Sequence, residues 1–241
     1  MTNNYRFDLS DSIKGKIAFV SGGFRGIGRE CVNAITANGG RVAFTYSEGH
    51  ESKEEADKLV AENPECLSAH ALDLTSISSM KNALQEAKDY WGEINILVNN
   101  AAVGSATVKN FADTAEEQDT LLLGINADGT LKMCQIYLEL MSDYSGTDPL
   151  KVINLSSVGG GITVFPGFRL SDGMSKAAVA FLTRQLAAEN VSTLIDVFAV
   201  CPGATNTKMF QASTLDTKSE EEKKALLDKL PKQRLIEPKE I

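Results

Sequence analysis

The chain has 241 residues, which suits one α/β domain with a sizeable core or two small domains. Hydrophobic residues make up 43% and charged residues 23%, an ordinary globular balance, and the net charge of −8 argues against a nucleic-acid partner, which would need clustered Lys and Arg. No apolar run approaches the ~18 residues of a membrane span, so no membrane partner is expected.

Residues 1–11 are polar and carry acids, unlike a signal peptide. Cys31, Cys66, Cys134 and Cys201 stand far apart, with only His50 and His70 to assist, so no metal site is expected. Cys31, Cys134 and Cys201 lie in apolar stretches and read as buried thiols of a reducing, cytoplasmic compartment.

In chain order, short apolar runs alternate with longer amphipathic ones. Residues 16–20 form a β-rich run, then come glycines and a helical stretch at 29–38, closed by Gly39-Gly40. A strand at 41–46 precedes a charged helix at 51–63, and a strand at 67–72 precedes a helix at 76–91. A fourth strand at 94–98 is followed by one long helix at 121–141, a strand at 151–155, a helix at 175–190 and a sixth strand at 195–200. Nearly all-apolar strands alternating with helices imply a parallel sheet covered on both faces. Right-handed crossovers then make it a doubly wound, Rossmann-type sheet in a single domain spanning 1–241. The charged run 218–224 reads as a solvated helix face.

The turn Ser21-Gly22-Gly23-Phe24-Arg25-Gly26-Ile27-Gly28 directly follows the first strand and opens the first helix. Glycine permits a tight turn, close approach of backbone N–H groups to a pyrophosphate, and tight helix–sheet packing. The helix N-terminus adds partial positive charge for phosphates. A strand-to-helix turn without a ligand is the plainer alternative.

The spacing Gly-x-x-x-Gly-x-Gly resembles the short-chain dehydrogenase/reductase family, with Ser21 where Thr is usual. Further motifs fall in the family's order. Asp73-Leu74 matches its adenine-side pair, and Asn99-Asn100-Ala101-Ala102 resembles its Asn-Asn-Ala-Gly motif with Ala102 replacing the glycine. Asn126 matches the active-site Asn, Ser157 the catalytic Ser, and Lys176 within Ser175-Lys176-Ala177-Ala178 the catalytic Lys. Pro202-Gly203 with Thr207 looks like the loop beside the nicotinamide carboxamide. The nearest resemblance is to β-ketoacyl reductase-like members, which implies an NAD(P)-dependent oxidoreductase acting on a small molecule.

A carboxylate after the second strand would bind the ribose hydroxyls of NAD(H) and repel a 2′-phosphate. Here the strand ends at Tyr46-Ser47, with Glu48 the next acid, while Arg25 offers a forked cation to a phosphate. NADP(H) is therefore favoured, and Glu48 keeps NAD(H) possible; Arg25 lying free in solvent is the alternative to a phosphate role.

The family's proton donor is a Tyr four residues before the Lys. In this chain that position is Asp172, and 168–175 contains no Tyr. An aspartic acid releases its proton near pH 4 and a tyrosine near pH 10, so Asp is the poorer donor at neutral pH. Three readings stay open: a reductase or dehydrogenase with altered proton transfer through Asp172, Ser171 or a water; non-redox lyase or isomerase chemistry with Asp172 as base; and an inactive NAD(P)-binding pseudoenzyme acting as sensor or partner subunit.

Residues 209–232 resemble the family's substrate lid, as a pair of helices. The chain stops at Pro238-Lys239-Glu240-Ile241, like the start of the family's last helix, so the expected sheet lacks the family's last strand. The family implies a homodimer or homotetramer, with the 121–141 helix pairing with its copy; Met133, Cys134, Ile136 and Leu140 serve either that interface or the core. The residues expected to line the pocket, 103–107, 158–170 and the lid, suggest an apolar or mixed pocket with little fixed charge apart from Arg169 and Asp172, and Arg169 is the candidate for holding a carboxylate or phosphate substrate.

Overall fold

The computed structural model describes residues 12–48, 51–216 and 218–241. Its centre is a six-stranded sheet of β1 (Ile17–Ser21), β2 (Arg41–Tyr46), β3 (Leu67–Ala71), β4 (Ile96–Asn99), β5 (Leu150–Leu155) and β6 (Ile195–Val200). All pairings are parallel, and the order is β3-β2-β1-β4-β5-β6. The chain winds outward from β1 to β3, then returns to lay β4 on the other side of β1. Crossovers therefore leave β1 and β4 toward opposite faces, and a crevice opens beyond their carboxyl ends.

Strand alternation divides the core in two. Phe19 of β1 and Leu97 of β4 face one cluster with Leu84, Met133 and Tyr137, while Val20 and Val98 face the other with Val32 and Phe44. All five β1 residues are buried, as a central parallel strand requires.

The helices are α1 (Gly26–Ala37), α2 (Lys53–Glu62), α3 (Ile77–Trp91), α4 (Ala115–Leu123), α5 (Thr130–Leu140), α6 (Leu170–Glu189) and α7 (Glu220–Leu227). Several starts are set by hydroxyl caps: Ser52, Thr114 and Ser219 each form a capping box with a Glu three residues on.

Two expectations are corrected. The single helix at 121–141 is α4 and α5 joined by a wide i→i+5 turn, Gly124–Gly129. That turn lets Gly129 lie against Leu74, where a Cβ would sit 3.0 Å from the Leu74 Cβ. Met133, Cys134 and Ile136 are buried in the domain's own core, with Leu140 packed against the same cluster. Second, α6 begins at Leu170 rather than Ser175, which brings Asp172 into its first turn. The helix pair expected in 209–232 is present as a contiguous helical run of Lys208–Phe210 and Gln211–Leu215, followed by α7.

β6 lies at the sheet edge, with Asp196, Phe198 and Ala199 exposed. Among the described residues no helix is long and apolar enough to cross a membrane, and no cluster of three His, Cys, Asp or Glu could hold a metal. His50 lies outside the described residues.

Candidate active site

The glycine turn is built by mutual exclusion of side chains. Gly22 has φ +64°, and Gly28 packs so closely on it that a Cβ would overlap the Gly22 carbonyl oxygen. Gly23 has equally little room, since a Cβ there would stand 2.7 Å from the Phe44 Cβ. Phe24 and Ile27 pack partly buried against the core.

The turn is held from three sides. Thr45 Oγ1 accepts from the Gly22 N–H at 2.9 Å. Ser21 Oγ accepts from the Asn100 and Ala101 N–H groups at 3.0 and 3.1 Å, and Asn100 Nδ2 donates to the Ser21 and Gly22 carbonyls at 3.0 Å each. Ser21 and Asn100 therefore fasten β1 to the loop after β4 and fix the shape of the turn.

α1 has no side-chain cap: Arg25 stands at its N-cap with an extended backbone and no capping hydrogen bond. The first N–H groups of this helix of 12 residues are thus left for a ligand, and a Cβ on Gly26 would meet only Thr207 Cγ2, at 3.7 Å. An open glycine cradle on an uncapped helix start fits a pyrophosphate.

Asp73, expected at the adenine, is exposed and accepts from the Thr75 N–H and hydroxyl at 2.8 and 2.7 Å, with Leu74 behind it on Gly129. Glu48, the acid expected beside β2, is exposed. A different carboxylate closes on the strand end. Glu51 Oε2 accepts from the Ser47 N–H at 2.8 Å, and its Oε1 pairs with Arg25 Nη2 at 3.2 Å.

The other end of the crevice gathers Asn126, Ser157, Asp172 and Lys176. Asn126, buried in the wide turn, accepts from the Val103 N–H and donates to the Val103 carbonyl, both at 2.9 Å, and reaches Ser175 Oγ at 3.4 Å. Its side chain holds the loop after β4. Ser157 caps the short turn Val158–Gly161, its Oγ accepting from the Gly159 N–H at 3.1 Å. Lys176 Nζ donates to the Leu155 carbonyl at 3.0 Å. Burial lowers the Lys176 ammonium below the ordinary lysine range, opposed by the neighbouring Asp172 carboxylate. Asp172 Oδ2 accepts from Ser105 Oγ at 2.9 Å.

Tyrosine does not return from elsewhere among the described residues. Tyr137 Oη donates to the Ile94 carbonyl, Tyr144 Oη to the Asp148 carbonyl, Tyr46 is buried on β2, and Tyr90 stacks edge-on with Trp91.

Arg169 is not available for a substrate anion. Its Nε donates to Asp119 Oδ1 at 2.7 Å, Nη1 to Gln118 Oε1 at 3.0 Å and Nη2 to the Ala115 carbonyl at 3.2 Å. Ser171 Oγ shares the Asp119 carboxylate at 2.5 Å, and these bonds hold that carboxyl below its usual range. The group joins α4 to the start of α6.

The Pro202–Gly203 loop, expected beside the nicotinamide, is tied to the segment after β5. The Pro202 carbonyl accepts from the Val158 N–H at 3.0 Å, and Thr207 Oγ1 accepts from the Phe210 N–H at 3.2 Å. Glu51 and Asp119 carry no sequence signal, because each acts through a partner brought close only by the fold, and Ser105, within the expected pocket segment 103–107, gains its partner Asp172 the same way.

The strand order, the glycine cradle and the residues gathered at the carboxyl ends of β1, β4 and β5 define a Rossmann-type α/β protein. A family model described as enoyl-(acyl carrier protein) reductase matches residues 8–241, and the chain belongs to the short-chain dehydrogenase/reductase family. It is 30% identical over 233 residues to the oxidoreductase UcpA of Salmonella typhimurium, covering 95% of this chain and 85% of that one. It is 28% identical over 231 residues to a tropinone reductase homolog of Datura stramonium, covering 95% and 83%. Among solved structures it resembles a dehydrogenase/reductase from Sinorhizobium meliloti 1021, with TM-score 0.78, 26% identity and coverage of 96% and 87%. Family and relatives make it an oxidoreductase.

Proposed function

We propose that the chain binds NADP(H), with NAD(H) as a second ligand, and interconverts an alcohol and a carbonyl on a small molecule, with Asp172 as the proton-carrying group. The observation that carries this reading is the Ser105–Asp172 pair beside Lys176, which aims a carboxylate at the end of the crevice. The glycine turn and uncapped α1 would hold the pyrophosphate, Lys176 the nicotinamide ribose, and Asp73 and Leu74 the adenine. Ala101, Ala102, Pro202, Gly203 and Thr207 would line the nicotinamide. When bound, the nicotinamide supplies the hydride acceptor or donor.

Ser157, whose hydroxyl finds no acceptor among the described residues, would hold the substrate oxygen. Asp172 Oδ1 makes no hydrogen bond among the described residues and would accept the alcohol proton. A carboxylate acting as base suits alcohol oxidation, in which it takes up the proton that the alcohol gives up.

The test is nucleotide binding by fluorescence, followed by an alcohol and carbonyl screen of the native chain beside Asp172→Tyr. The expected result is oxidation by the native chain and a gain in reduction by the variant, on the order of a hundredfold at pH 7. Turnover by the variant alone would instead establish a nucleotide-binding protein without redox activity.

The same reading includes a reducing, cytoplasmic setting for the four free cysteines, and self-association as a dimer or tetramer. The exposed stripe of Leu170, Met174 and Phe181 along α6 supports self-association, and sedimentation equilibrium tests it.

A further inference from the structure

Glu51 is an unusual carboxylate: its side chain is only 9% exposed, yet it stands at the rim of a crevice suited to phosphates. A carboxylate so nearly buried needs partners, and it has two, from different elements. The Ser47 N–H at the end of β2 donates to Oε2 at 2.8 Å, and the Arg25 guanidinium pairs with Oε1 at 3.2 Å. Glu51 thus spans the gap between the glycine turn and the second strand.

Arg25 brings a forked cation to that gap, and its side chain is 53% exposed, so a ligand reaches it from solvent. Two anions cannot share it cheaply. A 2′-phosphate entering the gap meets Arg25 already paired and a fixed negative charge beside it. A 2′-hydroxyl meets an acceptor to which it donates directly.

We propose that Glu51 sets dinucleotide selectivity by competing with the 2′-phosphate for Arg25: NADP(H) binds by displacing Glu51 from Arg25, whereas NAD(H) binds with the pair intact and donates its 2′-hydroxyl to Glu51. The proposal rests on the dinucleotide reading of the crevice given above. It makes selectivity a property of the pair rather than of Arg25 alone, and it deepens that reading by making the preference for NADP(H) a narrow one.

The experiment titrates NADPH and NADH separately, by nucleotide fluorescence, into the native chain, Glu51→Gln and Arg25→Gln. Gln keeps an amide oxygen for the Ser47 N–H, so the strand end stays fastened while the charge is lost. Glu51→Gln is expected to tighten NADPH by about fivefold, the upper range for an exposed ion pair, with NADH unchanged or weaker. Arg25→Gln is expected to weaken NADPH and leave NADH within about twofold. An unchanged NADPH-to-NADH affinity ratio in Glu51→Gln overturns the proposal; should that variant fail to fold, an unchanged ratio in Arg25→Gln does so. Failure of the native chain to bind either nucleotide removes the dinucleotide reading itself, and the proposal with it.

Discussion

The Ser105 hydroxyl donates to Oδ2 of Asp172 across 2.9 Å, joining the loop after β4 to the first turn of α6 over 67 positions of sequence. A hydrogen bond to a charged acceptor orients the carboxylate. If Asp172 carries the proton, Ser105→Ala should lower turnover about tenfold by releasing that orientation, with NADPH affinity unchanged. Unaltered turnover would show that Ser105 serves only to hold the loop.

The glycine turn has a steric test. Gly28→Ala drives a methyl group into the Gly22 carbonyl oxygen and the Asn100 amide, neither of which can retreat without loosening β1 from the β4 loop. The expected cost is about 1–3 kcal/mol in denaturant unfolding, with NADPH fluorescence enhancement lost.

Arg169 separates a structural role from a recognition role. With its donors spent on Asp119, Gln118 and the Ala115 carbonyl, Arg169→Ala should lower stability by about 1 kcal/mol by uncoupling α4 from α6. It should alter KM equally for anionic and neutral substrates of the same size. A loss confined to anionic substrates would return Arg169 to the pocket.

His70 on β3 should give the fold an acid-sensitive edge. Its Nε2 meets Ser68 Oγ at 3.0 Å, itself bonded by Trp91 Nε1 at 2.7 Å, and its Nδ1 meets Glu86 at 3.2 Å. Burial pushes the imidazole below its ordinary value of 6.5, and the Glu86 contact only partly opposes this. The unfolded chain therefore takes up a proton near pH 6.5 that the folded chain refuses, so stability present above that pH is lost as pH falls toward the folded value. Melting temperature should drop between pH 7.5 and 5.5 more steeply, by roughly a few degrees, for the native chain than for His70→Gln.

Period and punctuation made much of the architecture legible. All six strands and the α1 cradle could be read because buried parallel strands are continuous apolar runs and the glycines stand between strand and helix. The break at Gly124–Gly129 was hidden, since its apolar period continues through the wide turn and only the Asn126–Val103 hydrogen bonds reveal why it opens. Asp172 was visible as a position but not as a member of a pair. The sequence points to Glu48 as the acid beside β2, whereas the carboxylate that closes on the strand end is Glu51, which accepts from the Ser47 N–H. Contacts of this kind carry no local sequence pattern.

Gly160, at φ +88°, lies so close to α6 that a Cβ would overlap the Gly173 carbonyl oxygen. The segment after β5 is therefore seated on the helix backbone to backbone, one residue beyond Asp172. Side chains reinforce that seating: Ser156 Oγ donates to the Lys176 carbonyl at 2.7 Å, and Lys176 Nζ to the Leu155 carbonyl at 3.0 Å. Most of the bonds that carry the frame around position 172 thus belong to its neighbours, and a change at that position costs the frame only the Ser105 bond.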